Sequence, residues 1–341
     1  MGGVALGGGA PLPLQSMLTT STQDVGACLG QIESLQAAGC QIIRLAVESR
    51  RDLDGFAAIC AESPLPVVAD VHFDYRLAVA AAQLGAAKLR INPGNIGGAA
   101  KLDAVLDAAG QAGIPVRIGV NSGSLEESLR SDPALDMASK LVISAQCAVE
   151  YCEARDFTDI VLSAKASDVS TTIEVYRRLA QAVPQVPLHL GVTEAGTAWE
   201  GSIRSCVGIG TLLAEGIGDT LRVSLTASPL EEVRVASAIL ASLGLNSEPR
   251  PWLVSCPTCS RCKVDLLKIA NTLEQELAGC KKPLTVAVMG CVVNGPGEAS
   301  EADVGVACGR DGGAIFAKGK ILYSVEESQI IDALLAEIAK F

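Results

Sequence analysis

Aromatic residues are scarce in this chain: two Trp, four Tyr and five Phe make up 3% of its 341 residues. Such a surface offers few platforms on which bases could stack. Cations are in deficit as well, with 27 Lys and Arg against 38 Asp and Glu and a formal net charge of −11. Both shortages argue against nucleic acid or an anionic membrane as a partner. They do not exclude a small anionic molecule, because a few cations can still converge locally. No apolar run is long enough to span a bilayer. The opening residues, Met1-Gly2-Gly3-Val4, lack the basic segment and long apolar stretch of a secretory leader, so a cytoplasmic location is expected.

What the chain has is a large apolar fraction, 49%, and a length that suits a barrel plus a smaller module. Residues 1–245 alternate short Val-, Ile- and Leu-rich runs with amphipathic stretches. The predicted strands are Leu12–Met17, Ile42–Val47, Val67–Val71, Lys88–Ile91, Val116–Val120, Ile160–Ser163, Leu188–Val192 and Leu221–Leu225. Strands covered on both faces read as such continuous apolar runs. Helical patterns such as Val25–Ala38, Arg76–Leu84, Ala134–Glu153 and Thr171–Ala182 lie between them. The expected fold class is α/β, a (β/α)8 TIM barrel, with an open doubly wound sheet as the competitor; eight strands and a last helix near Glu231–Leu243 favour closure. The polar, proline-bearing stretch Asn246–Pro251 predicts a domain boundary. Residues 246–341 then read as a small α+β module: a helix over Lys263–Ala278, strands at Leu284–Met289, near Val304–Ala307 and near Ala314–Tyr323, and a closing helix over Glu326–Lys340.

Five cations lie in or at the ends of predicted barrel strands: Arg44, Arg90, Arg117, Lys165 and Arg222. A charge on a buried strand costs several kcal/mol unless something pairs with it. One such residue commonly has a structural partner. Five in one barrel suggest a shared polyanionic ligand at one mouth, and phosphate or diphosphate matches the guanidinium fork. Polar groups accompany them at the strand ends, where barrels carry their chemistry: Asp70, His72, Asn92, Asn121, Glu194 and Ser224. His72 beside Asp70 is a candidate active-site histidine, whereas His189, inside an apolar run, reads as structural. No strand–GxGxxG–helix unit with a following acid is present, which argues against a nicotinamide site.

Twelve cysteines are many for this length, and in a reducing compartment they are not expected to form disulfides. Cys28, Cys40, Cys60, Cys147, Cys152 and Cys206 are scattered and read as small buried or half-buried apolar residues. The rest include two clusters, Cys256-Pro-Thr-Cys259-Ser-Arg-Cys262 and Cys291-Val-Val-Asn294-Gly-Pro-Gly-Glu298. A close thiol pair and a distant thiol can grip one metal centre, and Glu298 could complete it with a displaceable oxygen ligand. The spacing favours an iron–sulfur centre. Zinc stays open as an alternative, although only one region supplies a close pair, and so does a set of ordinary thiols.

Longer matches then become recognisable. Gln15–Thr20, Ala69–Arg76, Lys88–Asn95, Arg117–Glu126, Gly191–Gly196, Ser255–Cys259 and Gly290–Glu298 resemble the 4-hydroxy-3-methylbut-2-enyl diphosphate synthases of the methylerythritol phosphate isoprenoid pathway. The resemblance covers nearly the whole chain. It implies a TIM barrel followed by a [4Fe–4S] domain, in the two-domain form of the family. It further implies that Cys256, Cys259 and Cys291 bind three irons and Glu298 the fourth, which leaves Cys262 as a spare thiol. The implied substrate is 2-C-methyl-D-erythritol 2,4-cyclodiphosphate, opened and dehydroxylated with two electrons from reduced ferredoxin or flavodoxin. Arg44, Arg90, Arg117, Lys165 and Arg222, with Asn92, Asn121 and Ser224, would hold it. Asn294 would position it near the cluster, and Asp70, His72 and Glu194 would orient groups or handle protons. The implied assembly is a head-to-tail homodimer.

Overall fold

The structure is a computed structural model that describes residues 1–245, 249–291, 301–310 and 312–341. The chain forms two compact units, Met1–Asn246 and Ser247–Phe341.

In the first unit, eight parallel strands alternate with helices: β1 (Gln15–Met17), β2 (Ile42–Ala46), β3 (Val67–Asp70), β4 (Lys88–Ile91), β5 (Val116–Asn121), β6 (Ile160–Lys165), β7 (His189–Leu190) and β8 (Thr220–Leu221). Strands β1 to β6 pair in sequence order, and β7 pairs with β8. Parallel bridges Leu162↔Leu188 and Leu14↔Leu221 join the two sheets at both ends, so the eight strands close into a ring. The expected TIM barrel is therefore present. Helices start where the sequence supplies a cap: Asp24 accepts from Ala27 N, Asp136 from Ser139 N, Asp168 from Thr171 N, and Ser228 precedes Pro229.

Side chains alternate across a strand, and that parity sorts the barrel. Ile43, Leu45, Leu89, Ile91, Val116, Ile118, Ile160 and Leu162 point outward into one apolar core with the helices. The other parity of β2, β4, β5 and β6 carries Arg44, Lys88, Arg90, Arg117 and Lys165. The hydrophobic driving force on the outer layer thus forces the cations inward.

Several boundaries differ from expectation. Strands β7 and β8 stop two and four residues early: the Leu225 N–H turns to Glu232, and beyond it the pairing resumes as an isolated parallel bridge, Thr197↔Thr226, with Thr226 N donating to Gly196 O. Cys147 and Cys206 are exposed rather than buried; they sit on the outer faces of helices Met137–Glu153 and Ala198–Ala214.

The second unit is a five-stranded sheet ordered β13-β12-β11-β10-β9. Its strands are β9 (Trp252–Ser255), β10 (Thr285–Met289), β11 (Val304–Gly309), β12 (Gly312–Ala317) and β13 (Lys320–Val325). Strands β9, β10 and β11 are parallel; β12 and β13 continue antiparallel. Helices Leu266–Leu277 and Ile330–Ala339 cover one face through Leu266, Ile269, Leu273, Ile330, Leu334 and Ile338. Strand β9 was not foreseen, and the run Ala314–Tyr323 is a hairpin turning at Lys318-Gly319 rather than one strand. The helices begin at Leu266, capped by Asp265, and at Ile330, after a 3-10 turn, both later than the pattern indicated. Gly312 is obligatory: at φ 138° a Cβ would collide with Val325 O.

Among the described residues no helix is long and apolar enough to cross a membrane.

Candidate active site

The inward parity concentrates charge inside the barrel. Arg44, Lys88 and Arg117 are buried, with Lys88 at 0% and Arg117 at 1% exposure. Arg90 and Arg222 keep 13% and 16% of their side chains exposed. Among the described residues, two carboxylates pair with this group. Asp70, at the end of β3 and 2% exposed, lies 3.0 Å from Arg90 and 3.5 Å from Arg44. Glu232 lies 3.3 Å from Arg222. Six cations against two acids, in a chain of net charge −11, is a deliberate local excess.

Neutral atoms also hold two of these guanidinium groups. Arg117 Nη1 donates to Gln15 Oε1 at 2.7 Å, and Arg44 Nη2 meets Met17 Sδ at 2.8 Å. His72 Nε2 stands 3.0 Å from Arg90 Nη1 and 3.5 Å from Asp70 Oδ2, so Asp70, His72 and Arg90 form one network at the mouth. Buried donors remain over: Lys88 Nζ and the Nε atoms of Arg90, Arg117 and Arg222 make no hydrogen bond within the described residues. Buried donors of this kind cost about 1–3 kcal/mol each when unsatisfied, so they suit a ligand rich in acceptor oxygens.

The electrostatics follow from burial and crowding. Burial, then repulsion from Arg117 and Arg44, pushes the Lys88 amine well below its ordinary range. Lys165, at the end of β6, is lowered by burial and by Arg117, Arg44 and Arg222. Burial depresses Arg44 to about 9 despite the attraction of Asp70. Burial alone would raise Asp70, but Arg44, the His72 contact and Arg90 together hold it far below the usual carboxylate range. An anion entering here would meet cations whose repulsion it relieves.

Glycines leave room for these side chains. At Gly191 a Cβ would collide with Lys165 Nζ and come within 2.8 Å of Arg222 O; at Gly119 it would stand 3.1 Å from Arg90 Nε. Glu194 holds φ at 52°, in the left-handed region uncommon for a non-glycine residue, and accepts a hydrogen bond from Ser167 Oγ at 3.1 Å. Such conformations cluster at functional sites. Asn92 is buried and caps the turn Pro93–Ile96 through Gly94 N; Asn121 ends β5; Ser224 is half-buried beyond β8.

Three members of the site were not foreseen: Lys88, Gln15 and Glu232. Lys88 could have been found by parity, since it lies two residues before Arg90 on the same strand face. His189, also 0% exposed, leaves both ring nitrogens without a hydrogen bond in the described residues and is driven well below its ordinary pKa by burial and by Arg117 and Lys165. It lines the same interior.

In the second unit, Cys256 follows β9 and Cys291 follows β10, two neighbouring parallel strands. Gly290 N donates to Cys256 Sγ at 3.2 Å, and a Cβ at Gly290 would lie 2.7 Å from Cys262 Sγ. Cys259 is exposed between them. Cys262 Sγ donates to Val264 O at 3.3 Å, which turns it toward its own loop. Among the described residues no three metal-binding side chains stand close enough to hold an ion. Asn294 and Glu298 lie outside the described residues. The donor set nevertheless fits a cluster: thiols from two strand ends, one already receiving a backbone N–H, the contact that tunes cluster sulfurs.

A family model described as the GcpE TIM-barrel domain matches residues 1–237, and one described as the GcpE protein C-terminal domain matches residues 252–340. The protein of Geobacter sulfurreducens named 4-hydroxy-3-methylbut-2-en-1-yl diphosphate synthase (flavodoxin) is 51% identical over 340 residues, 100% of this chain and 96% of that one. Its counterpart in Clostridium perfringens is 50% identical over 338 residues, 98% and 95% of the two chains. Among solved structures, dihydropteroate synthase of Yersinia pestis matches with a TM-score of 0.51 at 15% identity, over 69% of this chain and 93% of that one. An N-acetylneuraminic acid synthetase of Leptospira borgpetersenii matches at 0.53 and 13% identity, over 73% and 91%. These two likenesses concern the barrel fold alone. The family models and the end-to-end relatives agree with the barrel, the thiol module and the motifs described above, and the chain belongs to the GcpE family.

Proposed function

We propose that the chain converts 2-C-methyl-D-erythritol 2,4-cyclodiphosphate to (E)-4-hydroxy-3-methylbut-2-enyl diphosphate, with reduced flavodoxin, the donor in its relatives' names, as the source of two electrons. The observation that carries this reading is the buried excess of cations inside the barrel, which suits a compact diphosphate. Arg44, Lys88, Arg90, Arg117, Lys165 and Arg222 bind it, and Asn92, Asn121 and Ser224 lie where they can hydrogen-bond its oxygens. As the C–O bond to the diphosphate breaks, charge gathers on that leaving oxygen, and cations already in place stabilise it without reorganising. Asp70 and His72 aim Arg90 and Arg44. Glu194, held by Ser167, is the candidate to deliver a proton to the departing hydroxyl.

Cys256, Cys259 and Cys291 would hold a [4Fe–4S] cluster, with Glu298 as the fourth ligand and Asn294 beside it. When bound, that group supplies electrons one at a time. The working assembly we propose is a head-to-tail homodimer. Mixing a barrel variant, Arg117→Ala, with a thiol variant, Cys291→Ser, should restore turnover that neither has alone; no recovery would refute that assembly.

The direct test is anaerobic turnover of the cyclic diphosphate by the purified holoenzyme with a strong one-electron reductant. Product formation is expected, and its absence would overturn the assignment. Glu298→Ala should abolish turnover while most iron stays bound.

A further inference from the structure

The cysteine-bearing edge of the second unit carries cations that the reaction does not use. Arg261 and Lys263 flank Cys262, and both are exposed. Lys263 N donates to Gly290 O at 3.3 Å, which pins this loop beside Cys291. Arg310, also exposed, follows β11; because β11 pairs with β10 at Met289↔Ala307, it emerges at the same strand edge, one residue beyond the level of Cys291. On the next helix Lys268 is exposed, and Leu267 stands 64% exposed beside it. Among the described residues two exposed carboxylates share this edge, each receiving a backbone N–H: Asp265 caps Lys268 N at 3.1 Å, and Glu327 accepts from Asp265 N at 2.7 Å.

Four exposed cations against these two carboxylates, with an exposed leucine beside Lys268, are out of keeping with a chain of net charge −11. Charge of one sign with an apolar centre is how transient partners are steered and then seated. An electron donor must bring its cofactor close to the thiols, and Cys259, two residues before Arg261, is exposed. We infer that Arg261, Lys263, Lys268 and Arg310, together with Leu267, form the docking surface for a flavodoxin whose flavin lies under an acidic rim. This rests on the proposed function for the identity of the donor, but binding is measurable without turnover.

The test uses the anaerobic holoenzyme and a purified acidic bacterial flavodoxin. The variant Arg261→Glu/Lys263→Glu/Arg310→Glu should bind immobilised flavodoxin at least about tenfold more weakly than wild type and lose most of the salt dependence of binding. Its iron and sulfide content and its turnover with dithionite should match wild type, while its KM for reduced flavodoxin rises. A second variant, Leu267→Ala/Lys268→Glu, changes the helix Leu266–Leu277 rather than the cysteine loop and should weaken binding severalfold with the cluster intact. Wild-type affinity in both variants would overturn the proposal, and so would wild-type binding that is indifferent to salt or absent. Failure of wild type to turn over with dithionite would instead strike the proposed function, since the binding experiment reads the surface independently.

Discussion

Asp70→Asn isolates the electrostatic argument of the barrel. The substitution keeps size and shape and removes one charge. In wild type that carboxylate serves Arg90 at 3.0 Å and Arg44 at 3.5 Å with only 2% of its own side chain exposed. Removing one partner of a buried pair costs about 3–5 kcal/mol, because the surviving charges stay buried without compensation. A domain is stable by about 5–15 kcal/mol, so the variant should lose a large fraction of its unfolding free energy in urea at pH 7. The pH course follows from the depressed folded-state pKa of Asp70. A depressed carboxylate contributes fully above its unfolded value, about 3.9, and its contribution fades only as pH falls through the lower folded value. The gap between wild type and variant should therefore stay constant from about pH 5 to 8 and close only in strong acid. Diphosphate at a hundred times its Kd should return about 2.7 kcal/mol to either protein. A loss under about 1 kcal/mol at pH 7, or a gap that widens on acidification, would refute the view that Asp70 neutralises these cations.

Lys88→Met should stabilise the substrate-free barrel by about 1–3 kcal/mol in the same denaturation assay, since it replaces a fully buried, unsatisfied amine with an apolar chain of similar length; its affinity for the cyclic diphosphate should fall. Gly191→Ala places a methyl group against Lys165 Nζ and Arg222 O and should raise KM about tenfold or more, with far-ultraviolet circular dichroism unchanged. Anaerobic iron analysis should show the cluster lost in Cys256→Ser and retained in Cys262→Ser, because only the first thiol receives the Gly290 N–H.

Much of this molecule was legible in its sequence because one face of each barrel strand must satisfy a hydrophobic core. Runs such as Ile43-Arg44-Leu45 and Val116-Arg117-Ile118 announce both the strand and the inward cation, since no apolar layer would accept a guanidinium between two buried neighbours. The second unit was harder to read. Trp252–Ser255 is a half-exposed edge strand that follows Pro251, so it lacks the apolar run that marked the others. The hairpin over Gly312–Val325 turns at Lys318-Gly319, both at positive φ, a two-residue turn whose first position gives a weaker signal than Asn or Asp.

Lys88 and Glu232 show where linear reading stops. Glu232 follows Glu231 in the first turn of helix Pro229–Ser242, and a pair of acids there is adequately explained by the helix dipole. Only the closed ring reveals that Glu232 is 5% exposed and turned onto Arg222 and the Leu225 N–H, where it both ends the eighth strand and aims a cation. Lys88 opens its strand after Ala87, and a lysine at a strand start is ordinarily solvated. Parity with Arg90 puts it inside instead, one pleat deeper than the Asp70 network, where no acid pairs with its amine among the described residues. A fold selected for stability alone would have put an apolar residue at that position. Its retention there is itself an argument that the interior is built around an anion rather than around its own packing.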